Sequence, residues 1–442
     1  MWQETSETVK PLRSGLTTGS CATACCVAAC RALFANEQPS VVEITLPRKQ
    51  VVEMPIKGYQ PLAKAGMDQV SGYRVEIVKD AGDDPDATHG ATLFVELRLI
   101  DKAPLSRADD TALPNIVFKA GSGVGTVTKT GLVLAIGEPA INPVPRKMMT
   151  EHLINYAQVY GYQGDFEVSI GVVNGQQIAK KTMNSRLGII GGLSILGTTG
   201  IVRPYSCAAY IASIRQGIDV AASNGISHIG ASTGSSSEAA IREKYHFSET
   251  ALIEMGDFVG ALLKHLKQKH RDDCGVSKLS ICGGFGKMTK LAQGALDLNS
   301  RKSSIDFQFL QRCVQQLLAQ SVEPMSQPAQ QSLLEQVLNA NTSVQVLNLA
   351  NDAGLPMADY ISYLACVQAR SVLLDAQAAS ADQQGIRVDI KVDIKVDIKV
   401  DIRVEVFSID RKGVIVGSCA PFWQQAKDDG ANSKQHKGEQ SS

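Results

Sequence analysis

The chain has 442 residues, more than one ordinary core holds, so two domains are expected. Hydrophobic residues make up 44% and charged residues 20%, the range of a soluble globular protein, and no unbroken run of eighteen apolar residues occurs, so no membrane-crossing helix is expected. Forty-four Lys and Arg balance forty-four Asp and Glu, which argues against the basic surplus that nucleic-acid binders use on phosphates.

The first motif is Arg13-Ser14-Gly15-Leu16-Thr17-Thr18-Gly19-Ser20-Cys21. Its capping hydroxyls predict a buried helix over about 20–35, and N–H groups at the start of such a helix suit an anion, with Arg13, Thr17 and Thr18 beside it. Arg31 interrupts the apolar run, which favours a core helix over a secretory leader. Four of the ten cysteines fall here. At 100° per residue Cys21 and Cys25 share a face while Cys26 and Cys30 point elsewhere, so one metal ion cannot collect all four. No Cys-x-x-Cys occurs, and free, buried thiols suit a reducing cytoplasm.

Short β-rich runs follow at 41–46, 51–56, 74–78 and 92–100, an α+β pattern for the N-terminal domain. Between the last two lies Lys79-Asp80-Ala81-Gly82-Asp83-Asp84-Pro85-Asp86. A calcium loop would close on a Glu near position 91, which is Ala, so these aspartates read either as a solvated turn or as functional carboxylates, acting as a general base or as a clamp on a cation or hydroxyl. The glycines of Gly121–Lys129 open no helix, which argues against a dinucleotide fingerprint. The Pro-rich run Gly137-Glu138-Pro139-Ala140-Ile141-Asn142-Pro143-Val144-Pro145-Arg146 reads as a rigid interdomain crossover or as a segment that holds Glu138 and Asn142 rigidly for a ligand. Lys129, Asn142 and Arg146 suit carboxylate recognition.

Beyond residue 146 the pattern changes. Helices are predicted at 147–160, 205–223, 237–245 and 250–268, and strands at 166–173, 187–196, 228–232 and 278–282. Further helices run from 307 to 376 around a short strand near 344–347. This alternation predicts a Rossmann-like, three-layer α/β domain with ligands at the carboxyl ends of its strands. Three such ends carry glycines and hydroxyls: Gly197-Thr198-Thr199-Gly200, with Arg203 just beyond; Thr233-Gly234-Ser235-Ser236-Ser237-Glu238; and Gly283-Gly284-Phe285-Gly286-Lys287. Together they are expected to line one cleft. Four copies of Val-Asp-Ile-[Lys/Arg] span Val388–Arg403, a half-buried strand pattern of which part is expected to pair. The polar tail past Phe422 is expected to be disordered. The expected division is 1–146, α+β and substrate-binding; 147–376, Rossmann-like with a helical extension; and 377–442, repeat strand and tail.

Taken in order, Ser14–Cys21, Lys79–Asp86, Val124–Lys129, Gly137–Arg146, Arg186–Pro204, Thr233–Glu238 and Gly284–Lys287 resemble the CbiD family, over roughly residues 10–300. The run Gly-Glu-Pro-Ala-Ile-Asn-Pro-Val-Pro-Arg is the most specific of them. The resemblance implies S-adenosylmethionine-dependent methylation of C1 of cobalt-precorrin-5B, giving cobalt-precorrin-6A in anaerobic cobalamin biosynthesis. It implies a cobalt-corrinoid substrate, transient contact with other enzymes of the pathway, a cytoplasmic location, and no nucleic-acid or membrane partner. Cobalt would arrive inside the substrate, so no protein metal site is implied. On this reading Asp80, Asp84 and Glu138 are catalytic, and Arg13, Thr17, Thr18, Lys129, Asn142, Arg146 and Arg203 bind substrate. Gly197, Thr198, Thr199, Thr233, Gly234, Glu238, Gly284 and Gly286 bind the methyl donor. Two departures are the Val-Asp-Ile repeat and Asn299, where the family is expected to carry histidine.

Overall fold

The computed structural model describes residues 11–63, 70–100, 113–271, 275–321, 325–374 and 402–422, which divide into compact units at Cys207/Ala208. The first unit runs β1 (Gly15–Leu16), α1 (Thr18–Cys30) with a π-helical extension to Ala35, β2 (Val41–Thr45), β3 (Val51–Pro55), β4 (Gly58–Ala63), β5 (Val70–Val78) and β6 (Thr92–Ile100). It continues through β7 (Ile116–Ala120), β8 (Thr126–Val127), α2 (Pro143–Tyr160), β9 (Asp165–Val172), α3 (Gly175–Ala179), β10 (Ile189–Ile190) and β11 (Ile201–Val202). Its main sheet has the order β4-β5-β6-β9-β7, antiparallel except where β7 runs parallel to β9.

Helix α1 is the centre of this unit. Its thirteen residues are all buried, because β5 and β6 lie on one side while α2 and β2 cover others. Ala, Cys, Gly and Thr are the residues that let neighbours approach a helix this closely. The segment Thr18–Ala35 is apolar enough and long enough to cross a membrane, yet 78% of it is buried in this core. Burial pushes the Cys21 thiol up to about 12 and raises those of Cys25, Cys26 and Cys30 as well, so all four behave as small hydrophobes.

The second unit begins with α4 (Cys207–Ser223), which crosses the boundary, then β12 (His228–Ser232), α5 (Ser235–Tyr245), β13 (Leu252–Glu254), α6 (Val259–Arg271), β14 (Lys278–Gly284) and α7 (Phe285–Ala292). Helices α8 (Phe307–Gln320), α9 (Gln327–Leu338), α10 (Ser343–Asp352) and α11 (Met357–Leu374) precede β15 (Arg403–Ile409) and β16 (Ile415–Ser418). The sheet order is β13-β12-β14-β15-β16, with β16 alone antiparallel. Alternation along the strands gives it two apolar faces. Ile229, Ala231, Ile253, Leu279, Ile281, Val404 and Val406 join the core of α4, α6, α7 and α11, whereas Leu252, Cys282, Phe407 and Ile409 face Ala240 and Ile241 of α5.

The chain is therefore mixed α/β, with four corrections to the sequence reading. The break expected at 146/147 falls at 207/208, because β9 pairs with β6 and β7 and brings α2 into the first unit. The strand expected at 187–196 is only the pair Ile189–Ile190. Glycines at 188, 191 and 192 turn the chain, while Leu193 and Ile195 form single bridges to Val124 and Ile141. The helix expected at 250–268 is β13 followed by α6, because Met255-Gly256-Asp257 breaks it. The strand expected near 344–347 lies inside α10, whose start Thr342 caps by accepting the Gln345 N–H. Most of the Val-Asp-Ile repeat and the tail past Phe422 lie outside the described residues. The end of the repeat, Ile402-Arg403, leads directly into β15.

Candidate active site

Two clusters gather the candidate residues. In the first unit, three segments far apart in sequence lock together at the start of α1. Thr17 caps it, its hydroxyl accepting the Ser20 N–H at 3.2 Å. Thr17 N–H donates to Gly200 O, Gly19 N–H to Leu196 O, and Thr18 Oγ1 accepts the Leu196 N–H at 2.9 Å. Leu16 N–H donates to Asp80 O, and Gly15 pairs with Val202. Gly197-Thr198-Thr199-Gly200 is thus a turn laid over a helix N-terminus and belongs to no parallel sheet. Thr17 and Thr18 are buried and tie these loops together, while Thr199 Oγ1 bonds within its own turn.

Charges in this cluster are paired. Arg13 grips Asp80 with two bonds of 2.5 and 2.9 Å, and its backbone N–H reaches Asp83 Oδ2 at 2.6 Å. The guanidinium, helped by the Gly82 N–H, holds the Asp80 carboxyl down at about 2. Such a carboxylate is a weak proton acceptor. Glu138 is similar: the Ala135 N–H and then Arg146, at 3.0 Å, lower its pKa. Arg146 also donates to Ile141 O and Pro139 O, so it holds the Pro-rich turn together. Asn142 begins α2 without a side-chain cap bond. Asp84 accepts the Tyr205 N–H at 2.9 Å and has no cationic partner among the described residues. Lys79 is 2% exposed and bonds Asp86 at 2.6 Å, which fixes the loop that carries all four aspartates. Arg203 is exposed, and the Lys129 stem lies over Gly188, where an added Cβ would meet it at 2.4 Å.

The second cluster lies at the carboxyl ends of β12, β13 and β14. In the order β13-β12-β14 the chain direction of travel across the sheet reverses at β12/β14, the place where open α/β sheets bind ligands. Gly234 and Gly284 there begin α5 and α7, neither with a side-chain cap, so both helices present free N–H groups. A Cβ added at either glycine would meet nothing within 4 Å. Gly286 is more enclosed, with Ser343 Oγ 3.0 Å from such a Cβ. Glu238 is taken up by Arg242, which also binds Glu249.

Sequence reasoning marked Lys287 and Asn299 but missed Asp257, which joins them. Lys287 Nζ donates to Thr233 O at 3.1 Å and pairs with Asp257 at 3.1 Å. Asn299 Nδ2 donates to the other oxygen of Asp257 at 3.2 Å. Met255 and Gly256 donate their N–H groups to Ser232 O, which fixes the exit of β13 beside the β12 turn. Ser232 Oγ is buried without a hydrogen-bond partner among the described residues. The available signal was spacing, since Glu254 and Asp257 follow the Thr-Gly turn by about the interval at which nucleotide-binding sheets place an acidic residue.

Comparison with known proteins adds the following. The family model described as CbiD matches residues 5–204, ending three residues before the chain divides. The chain is 52% identical over 424 residues to a cobalt-precorrin-5B C(1)-methyltransferase of Marinomonas sp. (strain MWYL1), covering 94% of this chain and 97% of that one. It is 50% identical over 391 residues to the protein of the same name from Pseudomonas syringae pv. tomato (strain ATCC BAA-871 / DC3000), covering 87% and 96%. A crystal structure of a cobalamin biosynthesis protein (cbiD) from Archaeoglobus fulgidus matches with 25% identity and a TM-score of 0.34, over 66% of this chain and 83% of that one.

Proposed function

The chain belongs to the CbiD family, and on that premise we propose that it methylates C1 of cobalt-precorrin-5B to give cobalt-precorrin-6A in cobalamin biosynthesis. The observation that carries this is identity of about half of all positions along 94% of the chain to a methyltransferase of that name. The methyl donor in this reading is S-adenosylmethionine. The residues of the second cluster fit it: helix N-termini at Gly234 and Gly284 suit its carboxylate, and the space beside those glycines leaves room for the nucleoside. On this reading the donor lies against Thr233, Gly234, Gly284 and Gly286, in a sheet we read as Rossmann-like. Gly197, Thr198 and Thr199, around the start of α1, go to the substrate side. Cobalt comes with the corrinoid, whose peripheral carboxylates suit Arg13, Lys129 and Arg203 on the first unit.

Methyl transfer to carbon needs the acceptor carbon in line with the methyl group, so positioning supplies much of the rate. The substrate must also lose a proton. Arg13 holds Asp80 ionised, and the Ala135 N–H with Arg146 does the same for Glu138, so we read Asp84 as the proton acceptor. Asp84→Asn should lower kcat by about 100-fold while leaving corrinoid affinity within a factor of about two. Unchanged kcat would move the role elsewhere. The reading also places the protein in the cytoplasm, in transient contact with enzymes that make and use these intermediates. The test is a methyl-transfer assay with labelled S-adenosylmethionine and freshly generated cobalt-precorrin-5B. One methyl transferred per turnover is expected. Tight corrinoid binding without transfer would make the protein a corrinoid carrier instead.

A further inference from the structure

Glu254 closes β13 and lies opposite Ser232, the last residue of β12, in the parallel register Ser232↔Glu254. It follows the Thr233 turn by 21 residues, close to the interval of about 20 at which such sheets set a carboxylate against ribose hydroxyls. Its neighbours are engaged: Glu238 by Arg242, and Asp257 by Lys287 and Asn299. Glu254 is exposed, and its carboxylate makes no hydrogen bond or ion pair among the described residues. Its position is nevertheless fixed. The two residues after it, Met255 and Gly256, donate to Ser232 O at 2.9 and 3.2 Å, and Leu298 N–H holds Asp257 O at 2.9 Å. Gly256 has φ +56° and sits against the Tyr210 ring, where an added Cβ would meet the hydroxyl at 2.9 Å. Burial, then the charges of Glu254, Asp257 and Glu238, push that hydroxyl up to about 12, so it stays protonated near the Glu254 carboxylate.

A carboxylate accepts two O–H donors at once, which is what a vicinal diol offers. We infer that Glu254 receives the ribose hydroxyls of the adenosyl donor and thereby selects a ribonucleoside over a 2′-deoxy one. Asp257, Lys287 and Asn299 are positioning residues that hold the β13 exit against the β12 turn. The inference rests on the donor reading above, and its test separates the two. S-adenosylhomocysteine and its 2′-deoxy analogue are titrated calorimetrically into the full chain and into Glu254→Gln.

The wild type should bind the ribose form about 10- to 100-fold more tightly than the deoxy form. Glu254→Gln should lose most of that preference, keep its affinity for the deoxy analogue within about twofold, and unfold at the wild-type temperature. A Gln variant that still discriminates, or one that loses both ligands equally, overturns the role of Glu254. A wild type that binds both analogues alike overturns it without any variant, even if Glu254→Gln fails to fold. A wild type that binds neither overturns the donor reading itself.

Discussion

In the first unit, a Cβ added at Gly15, Gly82, Gly123 or Gly192 would lie 2.0 to 2.2 Å from neighbouring backbone, whereas at Gly234 or Gly284 of the second it would meet open space. Glycine-rich motifs that look alike in sequence therefore differ in what surrounds them. The first set lets loops interlock around a helix, and the second leaves room beside helix N-termini.

The largest effect expected from this contrast is at Gly82. Its φ of +68° disfavours any side chain, and Arg13 O stands 2.1 Å from the added methyl. Gly82→Ala should cost about 3–5 kcal/mol and lower the thermal midpoint by roughly 10 °C. A variant that melts like the wild type would end the interlocking argument. Next is Lys79→Met, which leaves Asp86 without its ion-pair partner; about 3 kcal/mol should be lost in urea unfolding. The double variant Lys79→Met/Asp86→Leu should recover part of that loss. At Gly284, where φ is −59°, a valine is conformationally acceptable. Gly284→Val should keep its stability within about 1 kcal/mol yet weaken S-adenosylhomocysteine binding at least tenfold, by about 1.4 kcal/mol. Loss of stability with binding intact would reverse the contrast.

The smallest effect is one of pH and falls at the opposite end of the second sheet. His228 bonds Ser280 Oγ at 2.8 Å near Lys278, Glu405 and Tyr245. Burial, then the Lys278 charge, holds its pKa at about 4, below the ordinary 6.5. The unfolded chain thus binds the extra proton between those values, so this stabilisation is complete above pH 6.5 and declines as pH falls toward 4. His228→Gln should flatten the pH dependence of the melting temperature across that window.

Much of the fold was legible where one local rule decided the outcome. Thr17 before an Ala- and Cys-rich run marked α1, and β-rich runs between turn residues marked β2, β3 and β6. The errors came where burial was set by distant partners. Ile189, Leu193 and Ile195 read as a strand because all three are apolar, but each buries against a different segment: Val127, Val124 and Ile141. At the candidate sites, ion pairing that no motif shows decides what each charge can do. Asp80 and Glu138 look like bases in sequence and are quenched by Arg13 and Arg146. Asp257, Lys287 and Asn299 are 30 and 12 residues apart in turn, and no spacing rule links them.

Helix α1 also bears on synthesis. Its cover includes α2, and the loop over its first turn comes from Leu196 and Gly200, roughly 180 residues later in the chain. At about 5–20 residues per second, that partner leaves the ribosome some 10–40 seconds after the helix does. During this interval a segment apolar enough for a membrane, with four thiols, is without its final cover. Crosslinking of stalled nascent chains should find chaperones on Thr18–Ala35 until residue 200 has emerged, and release soon after.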